Sequence, residues 1–308
     1  MAGVWRWPGW EVESYPKLTD LAMVPLFGLF FPAVRFVLDR FVFEVLGRRF
    51  IARSKGDDQQ FAKTLIKFKE SAWKAVYFTS ADLFALLITY REPWFHNTKY
   101  FWIGPGDQVW PDQKIKLKLK LLYTFSAGFY IYSMLALVFW ETRRKDFGVS
   151  MTHHVVTFLL IAGSYPIRFA RVGSMVLALH DASDIFLEMA KMSRYAGSDI
   201  FSSVFFVMFA IAWVLLRLIY FPFWIIWSTC REIVHTLDKS AHKAYGPVMY
   251  YGFNTFLITL LVMHIYWWIL IVRVLLKQIE DKGKIEKDVR SESGSEEILT
   301  AIHVQCRQ

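Results

Sequence analysis

Trp140 to Tyr195 reads WETRRKDFGVSMTHHVVTFLLIAGSYPIRFARVGSMVLALHDASDIFLEMAKMSRY. Two apolar runs, about Val149 to Tyr165 and Ile167 to Met189, flank a turn at Tyr165-Pro166. Each is long enough to cross a hydrocarbon layer as a helix. Set into them are the adjacent pair His153 and His154, then His180, Asp181, Asp184 and Glu188. Ionisable groups are costly in hydrocarbon, so several in one helical pair point to function rather than to folding.

The rest of the chain carries the same pattern. Its 308 residues are 55% hydrophobic and 18% aromatic, and the apolar residues fall in long runs with Trp and Tyr gathered at their ends. Such runs span bilayers, and such end residues prefer the headgroup level. The expected fold is an all-α membrane protein with about seven transmembrane helices. The net charge of +9 sits in short loops between runs, a topology and lipid-contact pattern rather than a nucleic-acid footprint. Two cysteines, Cys230 and Cys306, imply no disulfide framework.

In chain order, residues 1–20 form a Trp-rich N-terminal segment without the features of a cleaved signal peptide. The first span covers residues 21–46, bent by Pro25 and Pro32, with Arg35, Asp39 and Arg40 snorkelling towards its far end. A loop rich in Lys and Arg follows, from Gly47 to Glu70. By the positive-inside bias it is cytosolic, which places the N-terminus in the lumen and, after seven spans, the C-terminus in the cytosol. Further spans are expected at about 72–90, 121–140, 149–165, 167–189, 200–227 and 248–276. Lys114, Lys116, Lys118 and Lys120 run against this orientation, because they fall on the luminal side; they read as an interfacial entry to the third span. Residues 278–308 are too charged and Ser/Glu-rich to fold alone and read as a disordered cytosolic tail. Within that tail, SESGSEE has the composition of a target for an acid-directed kinase.

Depth brings the polar residues together. His153 and His154 lie about 8 Å below the cytosolic interface, counted from Gly148 at 1.5 Å per residue. The next span runs the other way, and Asp184 and Asp181 lie roughly 10 and 15 Å in from Lys191. Asp181, Asp184 and Glu188 share one helical face, as do His180 and Asp184. The expectation is a His–carboxylate site open to the cytosol, in which a carboxylate on one imidazole nitrogen leaves the other basic. Interhelical hydrogen bonding is the structural alternative. Metal binding is disfavoured, since the histidines are mostly isolated and the adjacent pair diverges by about 100° around a helix. A G-x-S-x-G elbow is absent, as are the internal repeats of a transporter.

The residues His153-His154, His180-Asp181, Ser183-Asp184, Leu187-Glu188 and Lys191 resemble the Lag motif of ceramide synthases, within the TLC-domain family. Residues 67–277 match that domain in length and order of spans. FVLDRFVFEVLGRR (Phe36 to Arg49) is similar to the plant longevity-assurance branch. The resemblance implies an endoplasmic-reticulum enzyme that N-acylates a sphingoid base from a fatty acyl-CoA, with six helices in a TLC-type barrel around an acyl tunnel. It carries catalysis onto His153 and His154, with Asp181 and Asp184 as essential carboxylates and His180, Glu188 and Lys191 in support. No metal or cofactor is implied beyond acyl-CoA as co-substrate. Membrane lipid is the surrounding partner, and a homo- or hetero-dimer is left open. In the family the loop before the last span, here Thr229 to Pro247, affects acyl choice. A non-catalytic, lipid-sensing or translocon-associated TLC protein is the alternative.

Overall fold

A computed structural model describes residues 9–51, 58–236 and 246–280, with side chains to Gln278. Residues 237–245 of the expected Thr229–Pro247 loop, the tail beyond residue 280 with its Ser/Glu-rich stretch and Cys306, and part of the first basic loop lie outside the described residues. Thr229 to Thr236, expected as loop, is helical and continues the sixth span. In order come strand β1 (Glu13–Ser14) and helices α1 (Met23–Leu38), α2 (Glu44–Phe50), α3 (Asp58–Thr89) and α4 (Pro93–His96). Strand β2 (Ile115–Lys116) leads into α5 (Leu117–Phe139), α6 (Phe147–Ser164), α7 (Ala170–Tyr195) and α8 (Asp199–Trp213), and α9 (Ile233–Thr236) and α10 (Gly246–Glu280) complete the order. A π-helical stretch, Val214–Ile226, extends α8 without a break and contains Pro222.

Among the described residues, five helical runs are long and apolar enough to cross a membrane: Leu18–Phe50, Leu117–Phe139, Phe147–Ser164, Asp199–Thr236 and Gly246–Gln278. The chain is an all-α, multi-pass membrane protein. The two other expected spans lie within α3 and α7, which are helices of 32 and 26 residues but fall short in apolarity. The reason is visible in what they bury: Glu70 and Asp82 on α3, and Arg171, His180, Asp181 and Glu188 on α7. These two polar helices make the most extensive contact in the molecule with each other, which hides their ionisable groups from the outer surface. Contacts then run from α3 to α5, α6, α10, the π-helical stretch, α7 and back to α3.

The first helix packs on α5 through glycine. A Cβ added at Gly128 would lie 2.5 Å from Phe27 Cβ and 3.0 Å from both Gly28 N and Val24 O. Small residues at such crossings let backbones approach closely. Arg35, expected to snorkel, instead turns inward: it is 1% exposed, donates to Tyr132 Oη at 2.8 Å and faces Glu141 at 3.8 Å. The acceptors on α5 and at its end outweigh the reach to the interface.

One end of the molecule is capped. β1 pairs antiparallel with β2, joining Glu13 to Lys116. Lys116 lies 2.9 Å from both Glu11 and Glu92, Lys118 lies 2.8 and 2.6 Å from the same two acids, and Lys120 lies 2.8 Å from Asp20. The lysine run is therefore not a bare interfacial entry; three of its four charges are matched by acids from the N-terminal segment and the α3–α5 connection. Burial raises the Glu11 carboxyl, but hydrogen bonds from Lys118 and Lys116 outweigh it and hold the group at about 2. Deeper in the cap, the Trp102 indole donates to Ser228 Oγ at 2.9 Å and the Trp110 indole to the Ile167 carbonyl at 2.8 Å. Tyr165 Oη donates to Asp20 at 2.5 Å.

Candidate active site

The opposite end opens into a cavity of about 570 Å³ with walls from α3, α5, α6, α7, α8 with its π-helical extension, and α10. Its mouth carries Lys63 and Lys67 from α3, Arg144 from the α5–α6 connection, and Lys191 and Arg194 from the end of α7. Below the mouth, Phe206, Phe209, Trp267, Ile271 and Val274 supply an apolar wall. His153, His154, His180, Asp181, Asp184, Glu188 and Lys191 all line this one space. The antiparallel α6 and α7 thus present their polar residues at one level, as the depth argument requires.

The paired imidazoles face different walls. Their ring centroids are 5.7 Å apart. His154 lies 5.6 Å from the Tyr130 ring, with Nε2 3.5 Å from Ser133 Oγ. His153 lies 5.3 Å from the Trp267 ring and 6.4 Å from His180. This divergence follows from adjacent positions on one helix. Nδ1 of each of the two rings is buried without a hydrogen-bond partner. Such unsatisfied atoms are rare in folded proteins and call for an explanation, of which a reacting group is one.

The expected carboxylate partners of the histidines are elsewhere. Asp184 Oδ2 accepts from Arg217 Nη2 at 2.7 Å, and Glu188 Oε1 accepts from Lys191 at 2.7 Å. His180 meets the Val176 carbonyl through Nδ1 at 2.6 Å and His264 through Nε2 at 3.0 Å. Among the described residues no hydrogen bond joins a carboxylate to His153 or His154; the acids share the cavity with the rings rather than holding them. The physical reason is charge. A fixed guanidinium or ammonium in a poorly solvated wall attracts a carboxylate more strongly than a neutral imidazole does.

Arg217 was missed by the sequence reading. It is 3% exposed, also donates from Nη2 to the His180 carbonyl at 2.5 Å, and stacks at 4.0 Å on the Trp213 ring. Its signal was available: one arginine inside the apolar run VLLRLIYFPFW (Val214 to Trp224) needs a buried partner.

Charge pairs also fix the rim. Glu141 lies 2.6 Å from Lys74, and Glu70 accepts from the Thr142 amide at 2.8 Å and its hydroxyl at 2.6 Å. Burial raises the Glu141 carboxyl, yet Lys74, Arg35 and Arg144 outweigh this and hold it at about 2. The Trp267 indole donates to Asp146 at 3.3 Å, tying α10 to the same connection.

Below the histidines a second, narrow space of about 30 Å³ continues towards the cap, sharing Tyr130 and His180 with the first. It is lined at its end by Tyr123, Ser164 and Gly173. A Cβ at Gly173 would collide with Tyr123 Oη, so glycine there is what admits the tyrosine. Ser164 Oγ donates to Tyr123 Oη at 3.2 Å.

The chain is similar to known proteins over nearly its whole length. The TLC domain matches residues 67–273. Ceramide synthase 1 LOH3 of Arabidopsis thaliana is 60% identical over 293 residues, covering 94% of this chain and 95% of its own. Ceramide synthase LOH1 of the same organism is 58% identical over 296 residues, covering 94% and 95%. An ASC1-like protein of Solanum lycopersicum is 59% identical over 294 residues, covering 93% and 96%. Residues 67–273 hold every lining residue of the cavity except Gln60, Lys63 and Thr64 on α3 and Val274 on α10. The chain belongs to the TLC-domain family, in the plant longevity-assurance branch whose curated members include ceramide synthases.

Proposed function

We propose that this protein is a ceramide synthase, an acyltransferase that joins the acyl group of a fatty acyl-CoA to the amine of a sphingoid base. The observation that carries the reading is the cavity itself: two adjacent imidazoles with unpartnered nitrogens stand beneath a basic mouth and beside an apolar wall. A CoA head is polyanionic and stays in water, so its thioester reaches only as far as the open end allows. The cations of the mouth suit its phosphates, and the apolar wall suits the acyl chain and the base. The positive-inside bias of the loops supports a cytosolic mouth and a luminal N-terminus, and the ceramide synthase reading implies the endoplasmic reticulum. Pairing of Lys116, Lys118 and Lys120 with acids removes most of the charge that argued against it. In this reading the six helices α3, α5, α6, α7, α8 with its π-helical extension, and α10 form the barrel.

Two routes use the pair. In one, a neutral imidazole nitrogen of His153 or His154 attacks the thioester carbonyl; the C–S bond breaks, CoA leaves as thiolate and takes up a proton, and the amine then displaces imidazole from the acyl group. In the other, an imidazole removes the proton that the sphingoid ammonium must lose before its nitrogen can attack the thioester directly. Asp184, Asp181 and His180 shape the wall in which either occurs.

The test is N-acylation by purified protein in lipid nanodiscs, with a sphingoid base and acyl-CoAs of graded length. Ceramide and free CoA formed in equal amounts are expected. Folded protein that binds lipid but releases no CoA would instead support a non-catalytic TLC protein.

A further inference from the structure

The last helix brings a histidine of its own to the site. His264 has no exposed surface, and its ring lies 4.7 Å from that of His180 and 6.4 Å from that of His153. The hydrogen bonds assign the protons. His180 Nδ1 faces the Val176 carbonyl, which only accepts, so Nδ1 carries the proton and Nε2 of the neutral ring is a lone pair. At 3.0 Å from it, His264 Nε2 must therefore donate. That leaves His264 Nδ1 as an acceptor, and it is buried without a partner.

Both nitrogens of His180 are thereby occupied. The His264 ring is itself held, with Phe221 at 5.3 Å and Trp213 at 5.8 Å, while the Trp213 indole donates to the His264 carbonyl at 3.3 Å. The ring of His180 lies within 28° of parallel to that of His153. A His180 freed from His264 would have a lone pair able to turn towards the cavity and compete there for a proton or a substrate hydrogen bond.

We propose that His264 is a positioning residue for acyl transfer: by donating to His180 Nε2 it fixes that ring's tautomer and plane, and so keeps His180 as a wall beside His153 rather than a rival base. The assignment rests on the ceramide synthase reading. It makes α10, which lies outside the histidine-bearing pair α6 and α7, part of the machinery that orients the reaction.

The experiment compares wild type with His264→Gln, His264→Leu and His264→Met in nanodiscs, reading kcat and KM for acyl-CoA at a fixed amount of folded protein. The glutamine amide nitrogen takes the place of Nε2–H, so His264→Gln keeps kcat within about threefold of wild type, while the Leu and Met variants lose about tenfold or more with KM little changed. Equal losses for Gln, Leu and Met overturn the hydrogen-bond assignment, since bulk alone would explain them. Full kcat in Leu or Met overturns it as well. Either apolar variant suffices if the other does not fold. A wild-type protein that makes no ceramide overturns the functional reading and this assignment with it, whereas active wild type with active apolar variants overturns this assignment alone.

Discussion

Arg217 Nη2 and Asp184 Oδ2 meet at 2.7 Å in the cavity wall, the arginine from the π-helical extension of α8 and the aspartate from α7. The same guanidinium nitrogen reaches the His180 carbonyl, so one side chain clamps α7 between His180 and Asp184. Breaking a buried pair by removing one partner costs about 3–5 kcal/mol, because the other charge is stranded. Arg217→Leu should therefore lower thermal stability strongly, and adding Asp184→Asn should recover part of the loss. Unfolding temperatures of the single and double variants in detergent test this; simple addition of the two losses would contradict the pairing.

Glu141 links the rim to acidity. Its folded pKa, about 2, lies below the ordinary 4.5, so the stability it contributes is full above pH 4.5 and fades as pH falls towards 2. At pH 7 Glu141→Gln should cost up to about 3 kcal/mol. The gap from wild type should narrow between pH 4.5 and 3. Thermal unfolding at those three pH values checks the sign, and a gap that widens on acidification would refute it.

Two glycines at the same crossing should behave differently. Gly128→Ala places its Cβ 2.5 Å from Phe27 Cβ and should cost about 1–3 kcal/mol as α1 is pushed from α5. Gly28→Ala meets only the Gly128 carbonyl at 3.9 Å and should be neutral or stabilising by about 0.5–1 kcal/mol through helix propensity. Equal stabilities for the two variants would mean the helices do not approach at Gly128.

The sequence carried the helical class and the common depth of His153, His154, Asp181 and Asp184, because apolar run length and rise per residue are local properties. Partner choice was not local. Helical spacing puts Asp184 and Glu188 on one face but cannot say that Arg217 and Lys191, rather than the paired histidines, occupy it. The same holds for Arg35, whose inward turn depends on Tyr132, 97 positions away. Charge counting misread Lys116 and Lys118, since their neutralising acids, Glu11 and Glu92, come from separate segments. His264 falls inside the expected last span, 248–276, but its contact with His180 spans 84 positions and exists only once α10 has closed on α6 and the π-helical stretch.

The most direct measurement is N-acylation by His153→Ala and His154→Ala protein, each shown to be folded in membranes and compared with wild type at saturating substrates. Loss of about 10²–10⁴-fold in kcat for at least one of them is expected of a group that moves a proton or carries the acyl chain. Activity within a few-fold of wild type in both would contradict acyl transfer at the imidazole pair.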